Sequence, residues 1–112
     1  DIDLDNEKLY ELEVSLIEKI KSKFGNLIRI NNDFPNRIPG LINLQFKGQN
    51  NMILLKKMSS LVAASTGSAC SVNKPSHVLK AMGFSDDEIS SSLRFSLSKY
   101  QTEEDLMILN DL

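Results

Sequence analysis

The sequence predicts a single α+β domain in which a small, mostly antiparallel sheet of three to four strands packs against helices. Its 112 residues fit one domain with a usable core. Apolar residues recur at three- and four-residue steps near the amino terminus, as in an amphipathic helix, and two later segments alternate apolar and polar residues, as half-buried strands do. Several connections are too short or too irregular for regular βαβ crossovers.

The first half of the chain predicts one long helix followed by shorter elements. Leucine, isoleucine and phenylalanine form the apolar stripe of the helix, and Gly25 ends it. A stretch rich in Asn and Pro separates the first two strands and predicts a loop. In chain order, the predicted elements are a helix at 5–24, a strand at 27–30, a loop at 31–40, a strand at 41–46, a helix at 51–58 and a strand at 61–65.

Turn and cap residues mark the elements of the second half. Pro75 fits the first turn of a helix, and Gly83 ends that helix. Ser85 and Glu88 form a capping box that opens another short helix. In chain order, the predicted elements are a helix at 75–82, a short helix after Ser85, a strand at 93–97 and a helix at 102–109.

Composition excludes several classes of partner and site. Acidic and basic residues are interspersed and the formal net charge is −2, so there is no basic patch for nucleic acid and no polybasic segment for anionic membranes. No apolar run approaches the ~18 residues of a membrane-spanning helix, and the acidic start is not a signal peptide. One cysteine and one histidine are too few for an internal disulfide or a structural zinc site. We therefore expect a cytoplasmic domain without a metal site.

Cys70, the only cysteine, is the first candidate for chemistry. It follows the small residues of 65–69 and precedes a polar stretch at 71–74. Small neighbours and Gly67 favour a mobile, reachable loop, and Lys74 is near enough in sequence to favour the reactive thiolate. From the residues alone, a free thiol without a role is an equal alternative.

Arg94 and His77 are the next candidates. Arg94 lies in the middle of the last predicted strand, on the face opposite Leu93 and Phe95. Its planar guanidinium either clamps a carboxylate or is a solvated or surface-paired group. His77 opens a predicted helix with no acidic neighbour in the sequence, so a Cys–His hydrolase is poorly supported.

Two acidic clusters are interpreted as helix starts rather than catalytic carboxylates. The acids at 86–88 and 103–105 both occupy the first turns of predicted helices. Carboxylates are favourable there because they interact with the positive end of the helix dipole.

Several of these segments form a specific combination when they are taken together and in order. They are Ser65-Thr66-Gly67-Ser68-Ala69-Cys70, Pro75-Ser76-His77-Val78-Leu79, Ala81-Met82-Gly83, Leu93-Arg94-Phe95-Ser96-Leu97 and Thr102-Glu103-Glu104, with Arg37-Ile38-Pro39-Gly40 before them. In this order they resemble the cysteine desulfurases, and most closely the NifS/IscS-like group of the class V aminotransferase family. The resemblance spans nearly the whole chain. It implies the fold of the C-terminal small domain of class V (fold type I) pyridoxal-phosphate enzymes.

The resemblance implies roles for two residues. Cys70 matches the cysteine that attacks the sulfur of L-cysteine bound to pyridoxal 5'-phosphate, giving L-alanine and a Cys70 persulfide for transfer to an acceptor. Arg94 matches the arginine that holds the substrate carboxylate. The implied acceptor is an iron–sulfur scaffold or another sulfur acceptor, in iron–sulfur cluster assembly or tRNA thiolation, and parent enzymes of this kind are homodimers.

The cofactor lysine of the resembled group has no counterpart in this sequence. Nothing here matches its Ser-x-His-Lys context, since the only histidine is followed by Val78. We therefore expect residues 1–112 to be the C-terminal small domain alone, without the large cofactor-binding domain. Such a chain binds no pyridoxal phosphate covalently and is inactive by itself, whereas the full-length parent is the enzyme. A stand-alone sulfur-carrier or interaction module is one alternative, and the small domain of another class V aminotransferase-like enzyme is a second.

Overall fold

The computed structural model describes residues 2–33, 37–64, 70–75 and 77–97, and at residues 2–3, 60–64 and 70–71 it describes the backbone alone. A short 3-10 turn, Gly25–Leu27, follows the first helix. In chain order, the helices and strands are α1 (Ile2–Phe24), β1 (Ile28–Ile30), β2 (Leu41–Phe46), α2 (Asn51–Ala64), β3 (Cys70–Asn73), α3 (Val78–Ala81), α4 (Asp86–Ser90) and β4 (Ser92–Leu97). Within these residues, no helix combines the length and the apolarity needed to cross a membrane.

The four strands form one sheet in the order β1-β2-β4-β3, and every neighbouring pair is antiparallel. The last strand in sequence therefore lies inside the sheet, and β3 lies at its edge. This arrangement confirms the predicted α+β class and the predicted mostly antiparallel sheet.

One face of the sheet is apolar and packs against α1 and α2. The register pairs Ile42 with Phe95 and Leu44 with Leu93, so apolar side chains line up across β2 and β4. The buried apolar residues of this core are Leu12, Leu16, Ile20, Ile42, Leu44, Phe46, Leu54, Met58, Leu93 and Phe95. Their removal from water is the main stabilising contribution to a domain of this size.

The opposite face of the sheet is polar. By register, Asn43 and Asn73 flank Arg94 on its two sides. The Asn31 side-chain amide donates hydrogen bonds to Asn43 Oδ1 at 3.0 Å and to Ser92 Oγ at 2.8 Å, and both bonds are buried. Because a buried amide is costly without partners, these bonds fix the chain just after β1 on this face.

The structure corrects two predicted elements between residues 58 and 75. The strand predicted at 61–65 is wrong, because α2 continues to Ala64. The sequence Leu-Val-Ala-Ala contains no helix breaker, and Gly67 is the first one after it. Cys70 was expected on a loop, but it begins β3, in which Val72 is the register partner of the core residue Phe95.

The helix predicted at 75–82 is shorter than expected. It begins at Val78, and its first turn closes with the Ala81 N–H donating to the His77 carbonyl. Its predicted end is confirmed, since Gly83 has φ +92° and the N–H of Phe84 donates back to the Leu79 carbonyl. The loop at 65–69 and the helix predicted at 102–109 lie outside the described residues.

Candidate functional site

Arg94 lies in the middle of β4, which runs between β2 and β3. Its register partners are Asn43 and Asn73, so its half-buried side chain belongs to the polar face. Leu93 and Phe95 belong to the apolar face, because successive residues of a strand alternate. The predicted orientation of Arg94 is therefore confirmed.

Arg94 has no carboxylate partner among the residues that the structure describes. Its Nε is buried and makes no hydrogen bond there. The other two arginines are both paired: Arg29 Nη1 lies 3.5 Å from Glu88 Oε2, and the Arg37 guanidinium donates to Glu13. A partly buried guanidinium without an internal acid is suited to bind an external anion, which would satisfy both its charge and its donors.

Two further polar atoms on this face have no hydrogen-bond partner within the described part of the chain. They are Asn31 Oδ1 and Gln45 Oε1, and both atoms are buried. Asn31 lies beside Asn43, whose carbonyl accepts its N–H at 2.8 Å, and Gln45 is two residues further along β2. Unsatisfied buried groups of this kind carry a free-energy cost that a bound group can offset. Together with Arg94 Nε they give the polar face three buried polar atoms that a bound group could satisfy.

Cys70 is the first residue of β3 and has Leu97 as its register partner on β4. Arg94 has its own partner on the same strand, Asn73. At about 3.4 Å per residue, the Cα atoms of Cys70 and Asn73 are roughly 10 Å apart along β3. The structure thus brings the two predicted site residues onto adjacent strands, at register positions that belong to opposite faces of the sheet.

Lys74 and His77 do not join this arrangement. Lys74 follows β3 at the end opposite Cys70, and four steps along the extended chain separate their Cα atoms by roughly 14 Å. Lys74 is therefore further from Cys70 than their spacing in the sequence suggests. His77 is exposed just before α3, and its ring makes no hydrogen bond or ion pair to the described residues. Nothing in this geometry gives His77 the role of a catalytic base.

The acids at 86–88 form the first turn of α4, as predicted. The Ser85 N–H donates to Glu88 Oε1 at 2.9 Å, and Ser85 Oγ accepts from the Glu88 N–H at 3.1 Å. The bond from the Ser85 N–H is the main reason that the pKa of Glu88 lies below its ordinary value. This acidic cluster caps a helix, and no group of three or more His, Cys, Asp and Glu residues suited to a metal ion occurs among the described residues.

A buried acid on α1, Glu13, was missed by sequence analysis. It is 1% exposed, and its Oε1 accepts hydrogen bonds from the Arg37 guanidinium and, at 3.1 Å, from the Gly40 N–H. The bond to Glu13 raises the pKa of Arg37 above its ordinary value. The available signal was its spacing, since Glu13 lies four residues after Leu9 and three before Leu16, within the apolar stripe.

The chain is similar in sequence to proteins named cysteine desulfurase. Cysteine desulfurase IscS of Ruthia magnifica subsp. Calyptogena magnifica is 36% identical over 103 residues, which are 88% of this chain and 24% of that protein. Cysteine desulfurase of Rattus norvegicus is 34% identical over 111 residues, which are 95% of this chain and 24% of that protein. The chain thus spans about a quarter of the length of these relatives. No protein-family model matches it.

Solved structures agree with the sequence comparison. A NifS-like protein from Rickettsia africae ESF-5 superposes with a TM-score of 0.75 over 95% of this chain and 27% of its own, and its 24% identity supports the fold alone. DndA from Streptomyces lividans has a TM-score of 0.58 at 33% identity, over 81% of this chain and 25% of its own. These comparisons confirm the predicted resemblance to the NifS/IscS-like cysteine desulfurases.

Proposed function

We propose that this chain, which is related to one part of the cysteine desulfurases, supplies the sulfur-accepting cysteine and the carboxylate-binding arginine of such an enzyme. In this proposal residues 1–112 are the C-terminal small domain, and a large cofactor-binding domain completes the active site. Cys70 is the nucleophile and sulfur carrier, and Arg94 anchors the substrate L-cysteine. The similarity to named cysteine desulfurases along this part of their length supports the proposal over an unrelated class of enzyme.

The state of Arg94 carries the proposal. Among the described residues it is the arginine without an acidic side chain as partner, and its buried Nε–H donates no hydrogen bond there. The planar fork of a guanidinium matches a carboxylate through two parallel hydrogen bonds. A substrate carboxylate bound at Arg94 places the rest of an amino acid beside the strands that carry Arg94 and Cys70.

The proposed step at Cys70 is a sulfur transfer. The Cys70 thiolate attacks the sulfur atom of L-cysteine, and an S–S bond forms as the substrate C–S bond breaks. The electron pair of the broken bond passes to the substrate carbon, which takes up a proton and leaves as L-alanine. Cys70 then holds a persulfide, whose outer sulfur is available to the thiolate or metal site of an acceptor.

Cysteine desulfurases generally use pyridoxal phosphate, and the strands that carry Arg94 and Cys70 offer no residue to hold that cofactor covalently. None of the four described strands carries a lysine, the residue type that holds the cofactor as a Schiff base. In the proposal the cofactor belongs to the large domain and supplies an electron sink for the substrate carbon. This chain contributes Cys70 and Arg94 to that site.

The wider setting follows from the same resemblance and belongs to the proposal. The persulfide serves an iron–sulfur scaffold or another sulfur acceptor, in iron–sulfur cluster assembly or tRNA thiolation. The enzyme is cytoplasmic and homodimeric.

The decisive experiment is a single turnover with L-cysteine in the full-length protein that joins this chain to a cofactor-binding domain. Mass spectrometry of the Cys70 peptide should show one added sulfur atom for each L-alanine released. Alanine release without sulfur on Cys70 would overturn the assignment. A gene that encodes no cofactor-binding domain, with Cys70 gaining sulfur only from a separate desulfurase, would replace it with the stand-alone carrier.

A further inference from the structure

A buried carboxylate on α1 holds the segment that leads into β2. Glu13 Oε1 accepts from both the Arg37 guanidinium and the Gly40 N–H, and the Glu13 side chain is 2% exposed. Removing either donor leaves a charge without full compensation in a place that water does not reach, which is strongly unfavourable. The position of Gly40 is therefore fixed relative to α1.

Gly40 in turn holds the end of β4. Its carbonyl accepts the Leu97 N–H at 2.7 Å, and Leu97 is the last residue of β4 and the register partner of Cys70. Because the Leu97 N–H points toward β2, the Cys70–Leu97 pair is of the non-hydrogen-bonded kind, in which Cα atoms approach to about 4.5 Å. A continuous path of contacts thus runs from Glu13 through Gly40 and Leu97 to Cys70.

Cys70 depends on this path more than Arg94 does. In the described sheet β3 is an edge strand, so β4 is the one strand that Cys70 pairs with. Arg94 lies further along β4 and is held by register partners on both sides. A shift of Gly40 therefore moves Cys70 relative to Arg94 instead of moving both together.

We propose that Glu13 is a positioning residue, which sets the separation of Cys70 and Arg94 through Gly40 and Leu97. The contacts that define this coupling are independent of the reaction. Its consequence for sulfur transfer rests on the proposed function, in which Arg94 holds the substrate and Cys70 must reach its sulfur atom.

The coupling is tested in the purified 112-residue chain by amide hydrogen exchange and nitrogen–proton NMR spectra. Glu13→Leu removes the acceptor of the Gly40 N–H, so we expect exchange of the Leu97 amide to accelerate about tenfold relative to that of Phe95 in the same strand. The backbone signals of Cys70 should shift, and those of Leu93 should not. Glu18→Leu, at an exposed position of the same helix, is the matched control and should change none of these.

Equal acceleration at Leu97 and Phe95 would indicate a general loss of stability and would overturn the coupling. If Glu13→Leu does not fold, the test uses Glu13→Gln instead. The glutamine amide keeps an oxygen in the same place as the carboxylate but carries no charge. It should give a smaller change at Leu97 and Cys70, and unchanged spectra at both would overturn the coupling.

The catalytic consequence is measured in the full-length protein. Glu13→Gln should lower the rate of persulfide formation on Cys70 several-fold per active site, while the KM for L-cysteine stays unchanged because Arg94 is unmoved. An unchanged rate would overturn the positioning role. If the unsubstituted protein forms no persulfide while the exchange result holds, the proposed function fails and the coupling stands.

Discussion

The carbonyl of Gly40 and the N–H of Leu97, 2.7 Å apart, join the segment before β2 to the last residue of β4. On one side of this bond Gly40 is held by Glu13, and on the other side Leu97 faces Cys70. The end of the sheet that carries Cys70 is therefore the end that is tied to α1. Arg94 lies three residues further in, where the sheet is paired on both sides.

Replacing Cys70 with serine should abolish persulfide formation while L-cysteine still binds. The hydroxyl of serine is not ionised near neutral pH and cannot accept sulfur as a thiolate does. Because the chain has no other cysteine, mass spectrometry assigns any added sulfur within it to this position without ambiguity. Ser71→Ala, at the next residue of β3, is the control and should leave sulfur loading intact. Normal sulfur transfer by Cys70→Ser would refute the role of Cys70.

Replacing Arg94 with glutamine should raise the KM for L-cysteine about 10- to 100-fold, since a hydrogen bond to a charged group contributes about 1.5–3 kcal/mol. Arg94→Lys should be intermediate, because the charge is kept and the planar fork is lost. Arg29→Gln is the control, since Arg29 lies on an outer strand and is paired with Glu88. Steady-state kinetics of the full-length protein measures all three. Equal KM values for Arg94→Gln and Arg29→Gln would contradict the anchor role.

Gly40→Ala should be more destabilising than Gly48→Ala, although both glycines have positive φ, +86° and +79°. An alanine in this region costs about 1–2 kcal/mol at either position. At Gly40 the added Cβ also comes within 3.1 Å of Leu9 Cδ2 and 3.3 Å of the Leu97 carbonyl oxygen, whereas at Gly48 it meets nothing within 4 Å. Such crowding adds a further ~1–3 kcal/mol. Urea denaturation of the two variants gives the comparison, and similar midpoints would show that the space around Gly40 adapts.

The cap of α4 should weaken in acid. The Ser85 N–H and hydroxyl lower the pKa of Glu88 below its ordinary 4.5, so the ionised carboxylate is favoured in the folded chain. A lowered folded-state pKa gives a stabilisation that is present above the unfolded pKa and is lost as the pH falls through the folded one. An NMR titration of the Glu88 carboxyl carbon should therefore show a midpoint below 4.5, and Ser85→Ala should move it part of the way back.

Ser90→Ala provides the matched control for this titration. Its hydroxyl donates to the Asp87 carbonyl and does not contact Glu88, so the midpoint should stay where it is in the unsubstituted chain. A Glu88 midpoint at the ordinary value in that chain would contradict the capping geometry.

Periodicity and caps predicted the elements whose neighbours are local. The strands β2 and β4, the capping box at Ser85 and the helix end at Gly83 depend on residues within a few positions of each other, and the structure confirms them. The alternation of β2 predicts a half-buried strand, whereas its polar residues Asn43 and Gln45 are buried as well. The orientation of Arg94 followed from the alternation of β4. The absence of an acidic partner for Arg94 among the described residues could not be predicted in this way, because it depends on where acids distant in the sequence lie in the folded chain.

Elements that depend on tertiary pairing were missed. The Cys-Ser-Val-Asn segment of β3 is short and polar, and it forms a strand because it pairs with β4. The Glu13–Arg37 pair was also missed, because its two residues are 24 positions apart in the sequence and meet only in the folded chain. A single charged residue in an apolar stripe indicates a buried partner without identifying it.

The position of β3 at the edge of the described sheet has a consequence for self-association. An open strand edge presents unpaired N–H and C=O groups, which invite a second chain to extend the sheet. β3 is four residues long, and the exposed Lys74 and then Pro75 follow it directly. Burying the charge of Lys74 between two sheets is unfavourable, and Pro75 has no backbone N–H to donate. A ladder of hydrogen bonds between strands therefore ends at these residues. This protection lies at the end of β3 opposite Cys70, so it limits how far a second copy could extend the sheet along this edge.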